Sequence, residues 1–203
     1  MARALAIANL ALAFGQVRRV TLHADGEPES DTTHTVMLTL LAVEVAPTVG
    51  CDPGLVAQFA TIHDLPERYA GDTNTAHGLS AEEAEAKAGR EAVAMRLLEA
   101  DLGDSRWIDL LRRYEAQQEP EARLVRYLDK VLPKLTHYLN GGAALRALGI
   151  TAADVMQKHA HQGAQLTEQY PELVQVRLLF SDACWIVEQG IRDGDVRVAE
   201  VAT

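Results

Sequence analysis

Alternation of β-branched and aromatic residues closed by hairpin turns, the signature of a sheet, is nearly absent from this chain. Residues 17–22, running into a turn at Asp25-Gly26, carry the one candidate, a short β-ribbon. The rest is punctuated as helices, so an all-α fold is expected. A first helix covers about residues 3–16. A second starts at Asp31 or Thr32, both plausible caps, and runs through Val45 to Pro47. Its sides, Val36, Leu40 and Val43 with Met37, Leu41 and Glu44, are apolar over most of the circumference, which predicts a central helix. A third opens at Asp52-Pro53 and carries Leu55, Val56, Phe59 and Ile62 up to His63-Asp64.

After a polar loop over residues 71–79, Ser80 and Glu83 form a capping box for a helix reaching about Leu102. The start of that helix, residues 82–90, is too polar for a core and reads as a solvated arm. Further helices span about 105–116 and 119–139, the last closed by Asn140-Gly141-Gly142. Residues 151–169 are polar. Residues 172–189 are apolar nearly all round and must pack on the body or on a second subunit, which makes a homodimer or larger homo-oligomer the expected assembly.

At 203 residues with 48% apolar content, the chain reads as one domain that buries about 70% of its unfolded surface. A net charge of -10 argues against sequence-independent nucleic-acid binding, which needs a basic surface, but leaves room for a small nucleotide in a local cationic pocket. Cys51 and Cys184, far apart and each beside an apolar run, read as reduced core thiols of a cytoplasmic protein and not as a disulfide or a thiolate metal site. No stretch approaches the roughly 20 apolar residues of a membrane span. Residues 4–13 imitate a signal-peptide core, yet Asn9 interrupts them and no cleavage site stands out, so a buried first helix is expected.

The chemistry is concentrated at His63-Asp64. Consecutive helical residues point about 100° apart, so an imidazole and a carboxylate there converge only on something between them. Glu67 follows one turn on, then Gly71-Asp72; upstream His34 heads the second helix and downstream Asp129 lies on an apolar helix. Singly, His34 reads as a cap or a hydrogen-bonded histidine. Asp129 is stranger, because a carboxylate between Leu128 and Val131 needs a partner and Lys130 points to another face. Jointly, two His and two Asp on helices sharing one core read as a mononuclear nitrogen–oxygen site for Mn, Co, Fe, Ni, Zn or Mg.

His34, His63-Asp64 and Asp129 resemble the H…HD…D pattern of HD-domain phosphohydrolases. Residues 63–72, His-Asp-Leu-Pro-Glu-Arg-Tyr-Ala-Gly-Asp, are similar to the HDxxExxxGD signature of the 5′-deoxynucleotidase branch, which includes the HD-domain-containing protein 2 type. Residues 29–34 resemble its ESxxEH stretch, and residues 78–83, 90–95 and 121–130 are also similar. The resemblance covers roughly residues 15–140 and leaves the C-terminal segment, about 143–190, without a counterpart, as an addition that completes the bundle or forms an oligomer interface.

The resemblance implies that His34, His63, Asp64 and Asp129 bind one divalent ion. It implies that Glu67 orients or deprotonates the attacking water and that Asp72 assists proton transfer toward the leaving 5′ oxygen. Arg19 would neutralise the phosphate, with Arg18 as the alternative, and His77 in the polar loop could reach substrate. Thr33 departs from the acidic residue usual before the first metal histidine, which could loosen the site. His159 and His161 read as solvated or structural histidines. The expected activity is cleavage of deoxyribonucleoside 5′-monophosphates to nucleoside and phosphate. Alternatives are release of triphosphate from deoxynucleoside triphosphates, less readily hydrolysis of guanosine tetraphosphate-type alarmones, or a degenerate nucleotide-binding regulatory module. Glu67 and Asp72 favour an enzyme over the last of these.

Overall fold

A computed structural model describes residues 1–73 and 78–199. The fold is all-α apart from one two-stranded ribbon, and the ribbon matters because of what it carries. Strand β1 (Arg18–Leu22) turns through His23–Glu27, where Gly26 takes φ 87°, and pairs antiparallel with β2 (Pro28–Ser30). Ser30 is also the N-cap of α2 (Asp31–Val45), its hydroxyl accepting from the Thr33 N–H at 3.1 Å. Arg18 pairs with Ser30, so β1 places Arg19 beside the first turn of α2.

Helix α1 (Ala2–Phe14) precedes the ribbon, and a 3₁₀ turn (Ala46–Val49) ends α2 at Pro47. Helix α3 (Pro53–Ile62) is capped by Asp52, whose carboxylate accepts from the Gly54 and Leu55 N–H groups. Its end is carried on through His63–Pro66 as turns into the single turn α4 (Glu67–Ala70). The capping box of Ser80 and Glu83 opens α5 (Ala81–Leu102), followed by α6 (Arg106–Ala116) and α7 (Pro120–Leu139). The C-terminal part adds α8 (Ala143–Ala147), α9 (Ala152–Gln169) and α10 (Val174–Asp193). Helix α2 packs on α3 and α7, and α10 lies across α7 and α9.

The core is built from one stripe of each helix. Leu38 and Ala42 of α2, Val56, Phe59 and Ile62 of α3, and Leu124, Val125, Tyr127, Leu128 and Val131 of α7 are fully or almost fully buried. Both cysteines are buried and free, as expected of core thiols.

Two expectations need correction. The all-round apolarity of α2 does not bury it: Val36, Leu40 and Val43 are exposed, and its buried face instead holds Asp31, His34, Thr35, Leu38 and Ala42. Asp31–Val49 has the length and hydropathy of a membrane span, contrary to the reading that no stretch does, yet its inward face carries two ionisable groups of the site described below. Helix α1 likewise buries Leu10 and Phe14 but leaves Leu5 and Leu12 exposed. Helix α10 finds its partner in the body through Val176, Phe180, Ala183 and Val187, while Val174, Leu178 and Trp185 stay exposed.

Candidate metal centre

Two helix ends, the middle of a third helix and one strand deliver the polar groups. His34 comes from the first turn of α2, His63 and Asp64 from the end of α3, and Asp129 from the middle of α7. One donor atom from each of these four lies within 4.8 Å of those of the others. His34 Nε2 is 2.9 Å from Asp129 Oδ1, His63 Nε2 is 2.9 Å from Asp64 Oδ2, and His63 Nε2 is 3.9 Å from Asp129 Oδ1. An octahedral ion with bonds of about 2.1 Å sets neighbouring ligands about 3.0 Å apart and opposite ones about 4.2 Å apart. The distances of 2.9, 2.9 and 3.9 Å within the cluster are ones that a single ion can bridge.

The imidazoles are also oriented for it. His63 Nδ1 donates to the Ala60 carbonyl at 2.8 Å, which leaves the Nε2 lone pair facing the carboxylates. That buried Nε2 has no hydrogen-bond partner among the described residues, although a carboxylate oxygen is close by. His34 Nδ1 faces the buried Glu29 Oε1 at 3.4 Å, again turning Nε2 inward. His63 thus has an outer acceptor that fixes its ring, as ligating histidines typically do, and His34 has a buried carboxylate on the corresponding side.

Thr33 brings no carboxylate to the site. The carboxylate behind His34 comes from the β-ribbon, five residues earlier in the chain, and the Thr33 hydroxyl is bonded to Ser30 Oγ at 2.9 Å within the helix cap.

Arg19 closes the side of the cluster nearest the ribbon. Its Nη1 lies 3.1 Å from Asp31 Oδ1, 2.9 Å from Asp64 Oδ2 and 3.6 Å from Glu67 Oε2. Asp31, Asp64 and Glu67 form a second acidic group, and the guanidinium fills it. Of the two arginine candidates, Arg19 enters the site; Arg18, on the other face of β1, is exposed. Asp31 is fully buried and was read in the sequence only as a helix cap, a role that belongs to Ser30.

Lys130 was expected to point elsewhere. Instead its Nζ donates to Asp129 Oδ2 at 2.7 Å, its long stem folding back along α7 to a neighbour that a shorter side chain could not reach. Pro133, four residues beyond Asp129, has no N–H to give the Asp129 carbonyl, so the helix ladder is interrupted at the candidate ligand.

The electrostatics are lopsided. Burial, then the charges of Asp64 and Asp31, push the Glu67 carboxyl up to about 10 despite Arg19. Burial raises Asp31 to about 6, with Arg19 opposing. Burial works against His34 too, but the Asp129 and Glu29 carboxylates outweigh it and lift the imidazole to about 9. Asp64 is held well below the usual carboxylate range: burial opposes this, but His63 outweighs it. Asp129 is likewise held low against burial by Lys130 and His34. Five carboxyls, Glu29, Asp31, Asp64, Glu67 and Asp129, thus meet two permanent cations, Arg19 and Lys130, and the two imidazoles between them. A divalent cation between the two Nε2 atoms is what this surplus fits.

A cavity of about 580 Å³ opens over the cluster, lined by Arg19, His63, Asp64, Glu67, Asp72 and Tyr114 among others. Asp72 reaches its wall because Gly71 adopts φ 71°, which turns the chain sharply after α4. His77 lies outside the described residues. Of the two C-terminal histidines, His159 is buried with Nδ1 bonded to Glu188 Oε1 at 2.9 Å, a structural role, and His161 is exposed.

Residues 15–173 match the HD domain family. The chain belongs to that family. The HD match continues past residue 140, through α8 and α9, into a region where the sequence offered no counterpart. The fold is also similar to the crystal structure of a predicted metal-dependent phosphohydrolase from Magnetospirillum magnetotacticum MS-1. That structure has a TM-score of 0.69 and 23% identity, and the alignment covers 98% of this chain and 100% of the other. No curated protein matches the chain.

Proposed function

We propose that this HD domain is a metal-dependent phosphohydrolase that cleaves the 5′-phosphate ester of deoxyribonucleoside monophosphates, giving nucleoside and phosphate. The observation that carries the reading is the convergence of four nitrogen and oxygen donors within 4.8 Å of one another, with Arg19 and two further carboxyls at the same mouth. The description of the Magnetospirillum protein, whose fold this chain shares, supports the same class.

His34, His63, Asp64 and Asp129 would hold the ion, which when bound supplies a water acidified toward neutrality and neutralises phosphate charge. The chain's own groups do the rest. Arg19 binds and orients the phosphate, held in place by Asp31. Glu67 takes the proton of the attacking water: its pKa, high where carboxylates crowd it, comes down as positive charge accumulates in the site. Asp72, on the wall of the same cavity, assists proton transfer toward the departing O5′. The new bond joins water oxygen to phosphorus, and the bond broken is phosphorus to O5′. Positioning and charge neutralisation are what such a transfer needs from a protein.

We place the protein in the cytoplasm as a homodimer or larger assembly, a reading supported by its free thiols and the exposed Val174, Leu178 and Trp185 of α10.

Protein stripped with chelator and reloaded with Mn or Co should regain orthophosphate release from deoxyribonucleoside monophosphates. No release with any divalent ion would overturn the reading.

A further inference from the structure

A second cavity of about 440 Å³ adjoins the first, and six residues line both: Arg19, Asp72, Thr73, Lys87, Asp129 and Lys130. The two cavities therefore meet at the mouth of the metal centre. Beyond that shared end their linings diverge. The first continues past Glu91, Glu115, Tyr114 and Tyr170, of mixed charge. The second continues past Lys134, His137, Lys158 and His159, and its only carboxyls among the described residues are Asp72 and Asp129, both at the shared mouth.

Helix α7 builds one wall. Lys130, Lys134 and His137 stand at successive turns on one face, leading away from Asp129. Helix α9 faces it with Lys158, His159 and Gln162, and Leu145, Leu148, Ile150, Val155 and Val187 make an apolar floor.

Lys134 is the telling residue. It is 5% exposed, its ammonium donates to Gln162 Oε1 and sits 5.0 Å from the centre of the Phe180 ring, and both of those partners are neutral. A buried ammonium with no carboxylate in an ion pair with it among the described residues is costly. Next to it, the buried His137 Nδ1 has no hydrogen-bond partner among the described residues. Lys134 is brought down to about 7 and His137 to about 4, each by burial first and then by neighbouring cations. An anion would satisfy both groups.

We propose that this second cavity is an oligophosphate-binding subsite, in which Lys134, Lys158 and His137 receive phosphates joined to, or lying beside, the one held at the metal centre. The inference rests on the phosphohydrolase reading for the role of the mouth, but the charge of the cavity is independent of it. Two sources share this chemistry: the tail of a nucleoside oligophosphate substrate, or a free oligophosphate. In the first case cleavage of the same P–O5′ bond by water releases nucleoside and the intact oligophosphate.

The test is calorimetric titration of the full-length protein with tripolyphosphate and, separately, with orthophosphate. Tripolyphosphate should bind at least tenfold more tightly, and Lys134→Met and Lys158→Gln should each weaken it about ten- to a hundredfold, the range for a charge-assisted contact. Lys158 is exposed at the rim, so its variant carries the result if Lys134→Met does not fold. Equal affinity for the two anions, or a gap that survives Lys158→Gln, would overturn the subsite.

Turnover identifies the source. Release of tripolyphosphate from a deoxynucleoside triphosphate, with a triphosphate-to-monophosphate ratio of kcat/KM that drops in the variants, assigns the cavity to the substrate tail. An unchanged ratio with tight tripolyphosphate binding assigns it to a free anion. Tight binding without hydrolysis of any nucleotide retains the subsite and overturns the phosphohydrolase reading alone.

Discussion

Two neighbouring regions of this protein carry electrostatic imbalances of opposite sign. At the end of α3, carboxyls outnumber cations, and the imbalance appears as a Glu67 carboxyl raised to about 10 and an Asp31 carboxyl raised to about 6. One cavity away, between α7 and α9, bases outnumber acids, and Lys134 is lowered to about 7 while His137 is lowered to about 4. Burial contributes first to all four shifts, and like charge reinforces each. Neither region is at its electrostatic best alone: the first lacks a cation and the second an anion. Asp129 and Lys130, adjacent on α7 and paired at 2.7 Å, mark the boundary between them.

The comparison is broken most severely at its acidic side. Asp64→Ala removes one donor of the cluster and one anchor of Arg19; bound divalent metal, counted by elemental analysis, should fall toward zero and turnover by about 10³-fold. Retention of both would separate the cluster from the chemistry. Glu67→Gln sharpens the picture, because that group contacts Arg19 but is outside the four donors. Metal content should hold while kcat falls about 10²-fold, as for loss of a general base. Equal losses of metal and kcat would make Glu67 a ligand instead.

A smaller effect is expected one layer out. Glu29→Gln keeps the shape behind His34 but removes the charge facing Nδ1, and metal affinity in a competition titration should weaken about tenfold. No change would leave Glu29 as packing only.

The basic side gives the smallest signal, and it depends on pH. An ammonium whose folded pKa is below its free value of 10.5 leaves the unfolded chain holding more protons between about pH 7 and pH 10.5. Stability from this group therefore rises with pH across that window, and its full penalty is present below pH 7. Lys134→Met should melt higher than the parent at pH 7, with the advantage shrinking toward pH 10. A difference in Tm constant with pH would mean that Lys134 already has its counter-charge.

Much of this was legible in the sequence, for identifiable reasons. Helix ends are local: the Asp52-Pro53 start, the Ser80–Glu83 box and the Asn140-Gly141-Gly142 stop are set by residues a few positions apart. The donors His63 and Asp64 announce themselves as neighbours, and His34 and Asp129 follow from the family pattern. What stayed hidden depends on chain reversal and on contacts between distant segments. Asp31 looks like a cap, and Glu29 is only a matching letter of a motif, until the β-ribbon folds them inward against Arg19 and His34. Lys130 reads as pointing to another face until its Nζ is seen to reach Asp129. The lysine cavity exists only because α9 packs opposite α7, and no spacing within either helix encodes that. The apolar ring of α2 misled in the other direction, since Val36 and Leu40 stay exposed on a helix whose buried face carries a histidine and an aspartate.

The most direct test of the central claim is anomalous diffraction from crystals of the full-length protein soaked with Mn. One peak is predicted, about 2.0–2.3 Å from His34 Nε2, His63 Nε2 and a carboxylate oxygen each of Asp64 and Asp129. A peak bound elsewhere, or none at saturating ion, would contradict the account.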